Sequence, residues 1–111
     1  MEKHDFKIIT ITYFDKQFKY LAKKYPSLKN ELINLVTELK SEPDKGTPIG
    51  RNCYKIRLAI SSKGKGKSGG ARVISYIKIT ETSVFLLSIY DKSEKENIDD
   101  KELIKLLNSI K

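Results

Sequence analysis

The run Val84-Phe-Leu-Leu-Ser-Ile-Tyr90 is apolar almost without interruption, and it constrains the fold more than any other stretch. A strand wetted on one face alternates polar and apolar side chains, because successive residues point to opposite faces. A continuous apolar run predicts a strand covered on both faces. With 111 residues the chain has room for one core, so residues 1–111 read as a single domain.

The other elements can be placed around that strand. Residues 7–13 are β-branched and aromatic and predict a first strand. Asp15 stands where it could cap a helix in which Phe14, Phe18, Leu21, Ala22 and Tyr25 recur at helical spacing. Pro26 ends that helix, because the residue before a proline is pushed out of the helical region. Ser27 predicts the cap of a second helix, with Leu28, Leu32, Leu35, Val36 and Leu39 on one face and Glu42-Pro43 closing it. Residues 44–50 read as a loop.

Residues 52–60 alternate, with Tyr54, Ile56, Leu58 and Ile60 on one face and Lys55 and Arg57 on the other. Residues 61–70 hold four of the six glycines and three lysines, and read as a flexible hairpin tip that does not pack. Residues 72–79 and 84–90 complete an antiparallel meander. Asp99 is placed at the N-cap of a closing helix, with Glu102 three residues later and Ile98 and Leu103 as a hydrophobic staple. Leu103, Ile104, Leu107 and Ile110 form the inner stripe of that helix. The order β-α-α-β-β-β-α predicts an α+β domain: a small, antiparallel-rich twisted sheet with a helical hairpin packed on one face.

Several function classes drop out. No apolar run approaches the ~20 residues needed to cross a bilayer, and residues 1–14 carry Glu2 and Asp5 without the apolar core of a secretory signal. A lone cysteine, Cys53, forms no internal disulfide and fits a reducing cytoplasm. One cysteine and one histidine, His4, exclude a Cys/His zinc framework. No metal and no cofactor is expected.

The charge is unevenly spread. The formal net charge is +8, and residues 51 to 72 hold seven cations (Arg51, Lys55, Arg57, Lys63, Lys65, Lys67 and Arg72) and no acid. Over the rest of the chain cations and acids nearly balance. A concentrated, acid-free basic segment is the footprint expected for a polyphosphate partner. Within it, Gly64, Gly66, Lys67 and Ser68 lack the spacing of a Walker loop, and a strand rather than a helix follows. The loop lysines Lys63, Lys65 and Lys67, with Arg51, read instead as a docking arm for RNA phosphates. A solvated hairpin tip is the simpler alternative for them.

Lys55, Arg57 and Arg72 fall on neighbouring strands and can converge on one patch, Arg72 at the open mouth of the loop. Three like charges without an acid repel one another, which favours an anionic partner over a merely solvated face. A single histidine supports no Ser/His/Asp or Cys/His set, and Asp99-Asp100 read as helix-cap residues. The chemistry left open is phosphodiester cleavage by the RNA's own 2′-hydroxyl, with cations stabilising charge on the phosphorane.

The segments Tyr54-Lys-Ile-Arg-Leu58, Ala71-Arg-Val-Ile-Ser-Tyr76 and Leu86-Leu-Ser-Ile-Tyr-Asp-Lys-Ser-Glu94 resemble the toxins of the RelE/ParE superfamily. The resemblance implies a bacterial cytoplasmic toxin, a cognate antitoxin as partner, and mRNA cleavage in the ribosomal A site. Lys55 and Arg57 match the paired basic positions of the family's second strand. Arg72 matches the arginine that contacts the scissile phosphate, and Lys92 a further basic residue after the last strand. The family's C-terminal catalytic tyrosine falls at Ile98, so the resemblance leaves Tyr90 or Asp91 to take its place. A gyrase-poisoning toxin of the ParE type and a non-cleaving RNA-binding module are the alternatives.

Overall fold

The computed structural model describes residues 5–63 and 69–110. His4, Lys65 and Lys67 lie outside the described residues. The chain runs β1 (Lys7–Thr10), α1 (Thr12–Lys24), α2 (Leu28–Ser41), β2 (Thr47–Gly50), β3 (Cys53–Leu58), β4 (Ala71–Lys78), β5 (Ser83–Asp91) and α3 (Asp100–Asn108). One sheet has the order β1-β5-β4-β3-β2, with β1 parallel to β5 and the other pairs antiparallel. The α+β reading holds, as does the double coverage of the apolar strand: all nine residues of β5 are buried.

Two cores lie on the two faces of that strand, whose alternation shifts by one residue at an irregularity opposite Ile74 and Ser75. On one face Val84, Leu86 and Ile89 meet Phe14 and Leu21 of α1 and Leu28, Leu35 and Leu39 of α2. On the other, Phe85, Leu87 and Tyr90 meet Leu103 and Leu106 of α3. The helical hairpin therefore covers one face and the closing helix the other. Each fully buried leucine contributes roughly 1.5–3 kcal/mol, so β5 is the densest source of stability in the fold.

Three boundaries differ from the sequence reading. The helix expected after Asp15 begins at Thr12, with Ile11 at the N-cap. Burial of Phe14 to 1% exposure against the sheet overrides the strand preference of Thr12 and Tyr13, and Asp15 sits in the first turn, where a carboxylate suits the helix dipole. Part of the expected loop 44–50 is β2, an edge strand that pairs Thr47 with Lys55 and Pro48 with Tyr54. Proline is tolerated there because an edge leaves one side of the strand unpaired. Arg51 and Asn52 join β2 to β3 with φ of 59° and 61°, as the central residues of a tight two-residue hairpin turn.

The third difference is in the glycine-rich stretch, whose ends pack. Ser61–Lys63 form a short 3₁₀ turn, and Gly70 is buried where the chain re-enters the sheet. A Cβ at Gly70 would lie 2.2 Å from the Leu58 carbonyl oxygen, so only glycine lets the two strands close. Gly70→Ala should cost about 1–3 kcal/mol by overpacking and lower the melting temperature by roughly 4–8 °C per kcal/mol. Thermal unfolding of the variant checks this; an unchanged midpoint would mean that the hairpin closes without that contact.

Candidate functional site

Directly opposed residues on neighbouring strands share a sheet face, with Cβ atoms about 4.5–5.5 Å apart. Arg57 stands opposite Arg72, and Arg72 opposite Tyr90, so β3, β4 and β5 place the three in one row. Lys55, opposite Ile74, lies further back on the same face. This is the face that α3 covers, since Ile74 and Tyr90 share the core with Leu103 and Leu106.

Exposure varies along the row. Arg57 is exposed, whereas Arg72 is 5% and Tyr90 6% exposed. Arg72 stands beside the loop mouth, as expected, and is buried there. It sits on a strand flanked on both sides, and its Nη1 donates to the Ala71 carbonyl at 3.0 Å. The segment between β5 and α3 returns across this face. The Lys95 ammonium lies 5.3 Å from the Tyr90 ring centre and is anchored to Glu102 at 2.5 Å. Asn97 Oδ1 accepts from Lys55 Nζ at 2.9 Å. Lys92 is half-buried, and its backbone N–H donates to the Gly70 carbonyl at 3.0 Å, beside the start of β4.

The Tyr90 hydroxyl is buried and finds no hydrogen-bond partner among the described residues. Burial pushes its pKa up, the nearby Arg72 opposes that rise, and Glu102 adds to it. The phenol therefore stays protonated near neutral pH. A buried, unpaired donor costs about 1–3 kcal/mol, and one beside a guanidinium can deliver a proton where negative charge develops.

The other face of the same strand end holds a polar clasp that sequence reasoning missed. Asp91 is buried and accepts from Tyr25 Oη at 2.8 Å, from the Ser93 backbone N–H at 2.9 Å and from the Ser93 hydroxyl at 2.8 Å. It also forms an ion pair with Lys63. Ser61 donates to Glu31 Oε2 through its backbone N–H at 2.6 Å and its hydroxyl at 2.7 Å. The Ser62 backbone N–H donates to Ser27 Oγ at 2.9 Å. Ser27 thus occupies the expected cap position of α2, but its side chain makes no capping bond there. The root of the lysine-rich loop is pinned to the helical hairpin and to β5.

This geometry removes three residues from the free cationic surface or from acid–base duty. Lys63 is spent on Asp91, its side chain only 12% exposed. Arg51 forms a two-pronged pair with Asp100, Nε to Oδ1 at 3.3 Å and Nη2 to Oδ2 at 3.0 Å, strapping the β2–β3 turn to the start of α3. The segment 51–72 holds no acid, yet Asp91 and Asp100 offset two of its cations, Lys63 and Arg51. Asp91 faces away from the row. Burial tends to raise its pKa, but hydrogen bonds from Lys63, Ser93 and Tyr25 outweigh that and hold it below the ordinary carboxylate range, a poor setting for a proton acceptor. The Cys53 thiol, pushed by burial up to about 11, is equally inert. Among the described residues no group of His, Cys, Asp and Glu is placed to hold a metal ion, and no helix is long and apolar enough to cross a membrane.

Residues 10–110 match the family described as the RelE toxin of the RelE/RelB toxin-antitoxin system. The chain belongs to the RelE toxin family. Its fold is similar to that of an arginine-to-alanine double mutant of the E. coli toxin RelE in the free state. That match has a TM-score of 0.64 at 15% identity and covers 96% of this chain and 99% of that one. It is also similar to a chain of the Mycobacterium tuberculosis toxin-antitoxin complex RelBE2, with a TM-score of 0.62 at 17% identity, covering 81% of this chain and 94% of that one. In this RelE-family toxin Ile98, where the resemblance puts the family's tyrosine, packs half-buried against the α3-side core.

The clasp has a pH signature. The folded-state pKa of Asp91 is depressed, so its contribution is fully present above the ordinary carboxylate value. It is lost as pH falls through the folded value. Asp91→Asn should cost about 2 kcal/mol at neutral pH and flatten the pH dependence of stability below about pH 5. Denaturant unfolding across that range checks it, and an unaltered profile would assign the acid sensitivity to other carboxylates.

Proposed function

We propose that this toxin is an endoribonuclease that cuts mRNA on the ribosome, in the A site. The observation that carries the reading is the row Arg57–Arg72–Tyr90 on three adjacent strands, two guanidinium groups leading to a protonated, unpartnered phenol. The ribosome and the A site enter through family membership. The substrate's 2′-hydroxyl gives its proton to solvent water as it attacks the adjacent phosphorus, a 2′,3′-cyclic phosphate forms, and the bond to the 5′-oxygen breaks. Arg57 and Lys55 bind phosphate, and Arg72 stabilises charge on the phosphorane. Tyr90 gives its proton to the departing 5′-oxygen. Lys92 holds the strand beyond the cut, as the family resemblance implies for a basic residue after the last strand. In the free chain Lys95 and Asn97 lie across this face, and RNA phosphate takes the place of those contacts.

The partner that silences such a toxin is a cognate antitoxin. The net charge of +8 favours an acidic segment with apolar anchors. Its binding should weaken as salt rises; a salt-insensitive association would exclude the electrostatic part of this reading.

Because Arg72 is buried, the variant to make is Arg72→Lys, which keeps a cation but removes the planar fork. It should slow cleavage on programmed ribosomes by about 10²–10³-fold, with Tyr90→Phe falling by at least 10²-fold. Both should unfold at temperatures near that of the wild type. Mapping of transcript ends after induction gives the wider test. Cuts within translated codons support the reading, DNA damage without cuts points to gyrase poisoning, and growth arrest with neither points to RNA binding alone.

A further inference from the structure

β1 pairs with β5 only as far as Leu86. Beyond it the chain turns into α1, and the far half of β5 is left without a strand on that side. Gln17 of α1 fills part of the gap, its Oε1 accepting from Ser88 Oγ and from the Ile89 backbone N–H, each at 3.0 Å. What remains is a cleft of about 360 Å³ lined by Lys16, Gln17, Tyr20, Ile89, Tyr90 and Glu94, among others. It reaches Tyr90 from the side opposite Arg72.

The rim of this cleft is an aromatic among lysines. Tyr20 is 58% exposed, and the Lys24 ammonium lies 5.9 Å from its ring centre. Lys16, Lys19, Lys23 and Lys24 are all exposed. At 100° per residue these four and Tyr20 occupy one broad stripe of α1, while Asp15 falls outside it. Two carboxylates line the cleft: Glu94, paired with Lys24 at 3.8 Å, and Asp91, buried and paired with Lys63.

We propose that this cleft is a nucleotide-binding subsite in which Tyr20 stacks an unpaired RNA base while Lys16, Lys19 and Lys23 hold the flanking phosphates. The inference rests on RNA being the substrate and assigns it a second contact on α1. An exposed ring flanked by cations suits a base, which offers a flat face and adjacent negative charge. A protein segment is better served by the larger cleft between β1 and α3, lined by Ile11, Phe85, Leu106 and Ile110. Because both the α1 cleft and the Arg72 row border Tyr90, a strand stacked on Tyr20 runs directly into the row.

The test uses the full chain and a short, unstructured, dye-labelled RNA oligonucleotide read by fluorescence anisotropy, beside cleavage on programmed ribosomes. Tyr20→Ala should weaken oligonucleotide binding about ten-fold or more, while Tyr20→Phe, which keeps the ring, stays near wild type. Lys16→Ala with Lys23→Ala should lower the salt slope by roughly 0.7 per lost phosphate contact. If the wild type cuts RNA and Tyr20→Ala binds and cuts as well as it does, the subsite is wrong and the cleavage reading stands. If the wild type neither binds nor cuts RNA, both fall. If Tyr20→Ala spares RNA but weakens binding of an acidic polyglutamate peptide, the surface belongs to a protein partner and the proposal is overturned.

Discussion

Every layer of this fold meets on β5. β1 pairs along part of one edge and β4 along the other, the helical hairpin packs on one face and α3 on the opposite face. A strand buried this thoroughly cannot slip by one residue, because a slip would exchange the two faces and empty both cores. The site inherits that rigidity. Tyr90 and Asp91 are neighbours in sequence and must point to opposite sides, so a single strand end carries a proton donor on one face and an anchoring carboxylate on the other.

Charge is arranged in the same two-sided way. The basic segment looks uncompensated because its acids are remote in sequence. Asp91 neutralises Lys63 and Asp100 neutralises Arg51. Those pairs hold the loop root and the start of α3, and they leave Lys55 and Arg57 between them, where the hydrogen-bond partner of Lys55 among the described residues is a neutral amide, Asn97. An amide is a weaker competitor than a carboxylate for a lysine that must later bind phosphate. Among the described residues, an acidic partner marks Arg51 and Lys63 as cations that build the fold.

Much of this was legible in the sequence because it rests on local periodicity. The buried strand, the two amphipathic helices, the Asp99 cap and the shared face of Lys55 and Arg57 all follow from spacing of 2 or 3.6 residues. The Asp99 side chain does accept from the Glu102 N–H, at 2.8 Å. What escaped notice depends on distant partners. β2 is short, with Pro48 and Gly50, and exists only because β3 is there to pair with it. The Lys63–Asp91 and Ser62–Ser27 contacts join residues with no common motif. The sequence puts Arg72 next to a glycine-rich loop, but its burial is set by the strands on either side and by the returning segment. The resemblance supplied the family; it could not supply these contacts.

The covered state of Tyr90 fits a site that works on a large polyanion. A phenol left without a partner gains little from its surroundings in the free chain. The Lys95 ammonium over its ring is a contact worth about 0.5–1 kcal/mol at a partly exposed site. Phosphate offers Lys95 a stronger, charge-assisted partner and offers the phenol an acceptor. On the proposed RNA substrate, exchange of the free-chain contacts for those of phosphate would improve two groups at once, without requiring the sheet to move. The cores on both sides of β5 hold the strand, and the side chains at its end change partners. An RNA bound as proposed to the row and to the α1 lysines would draw on both together, so two modest surfaces would act as one through their shared border at Tyr90.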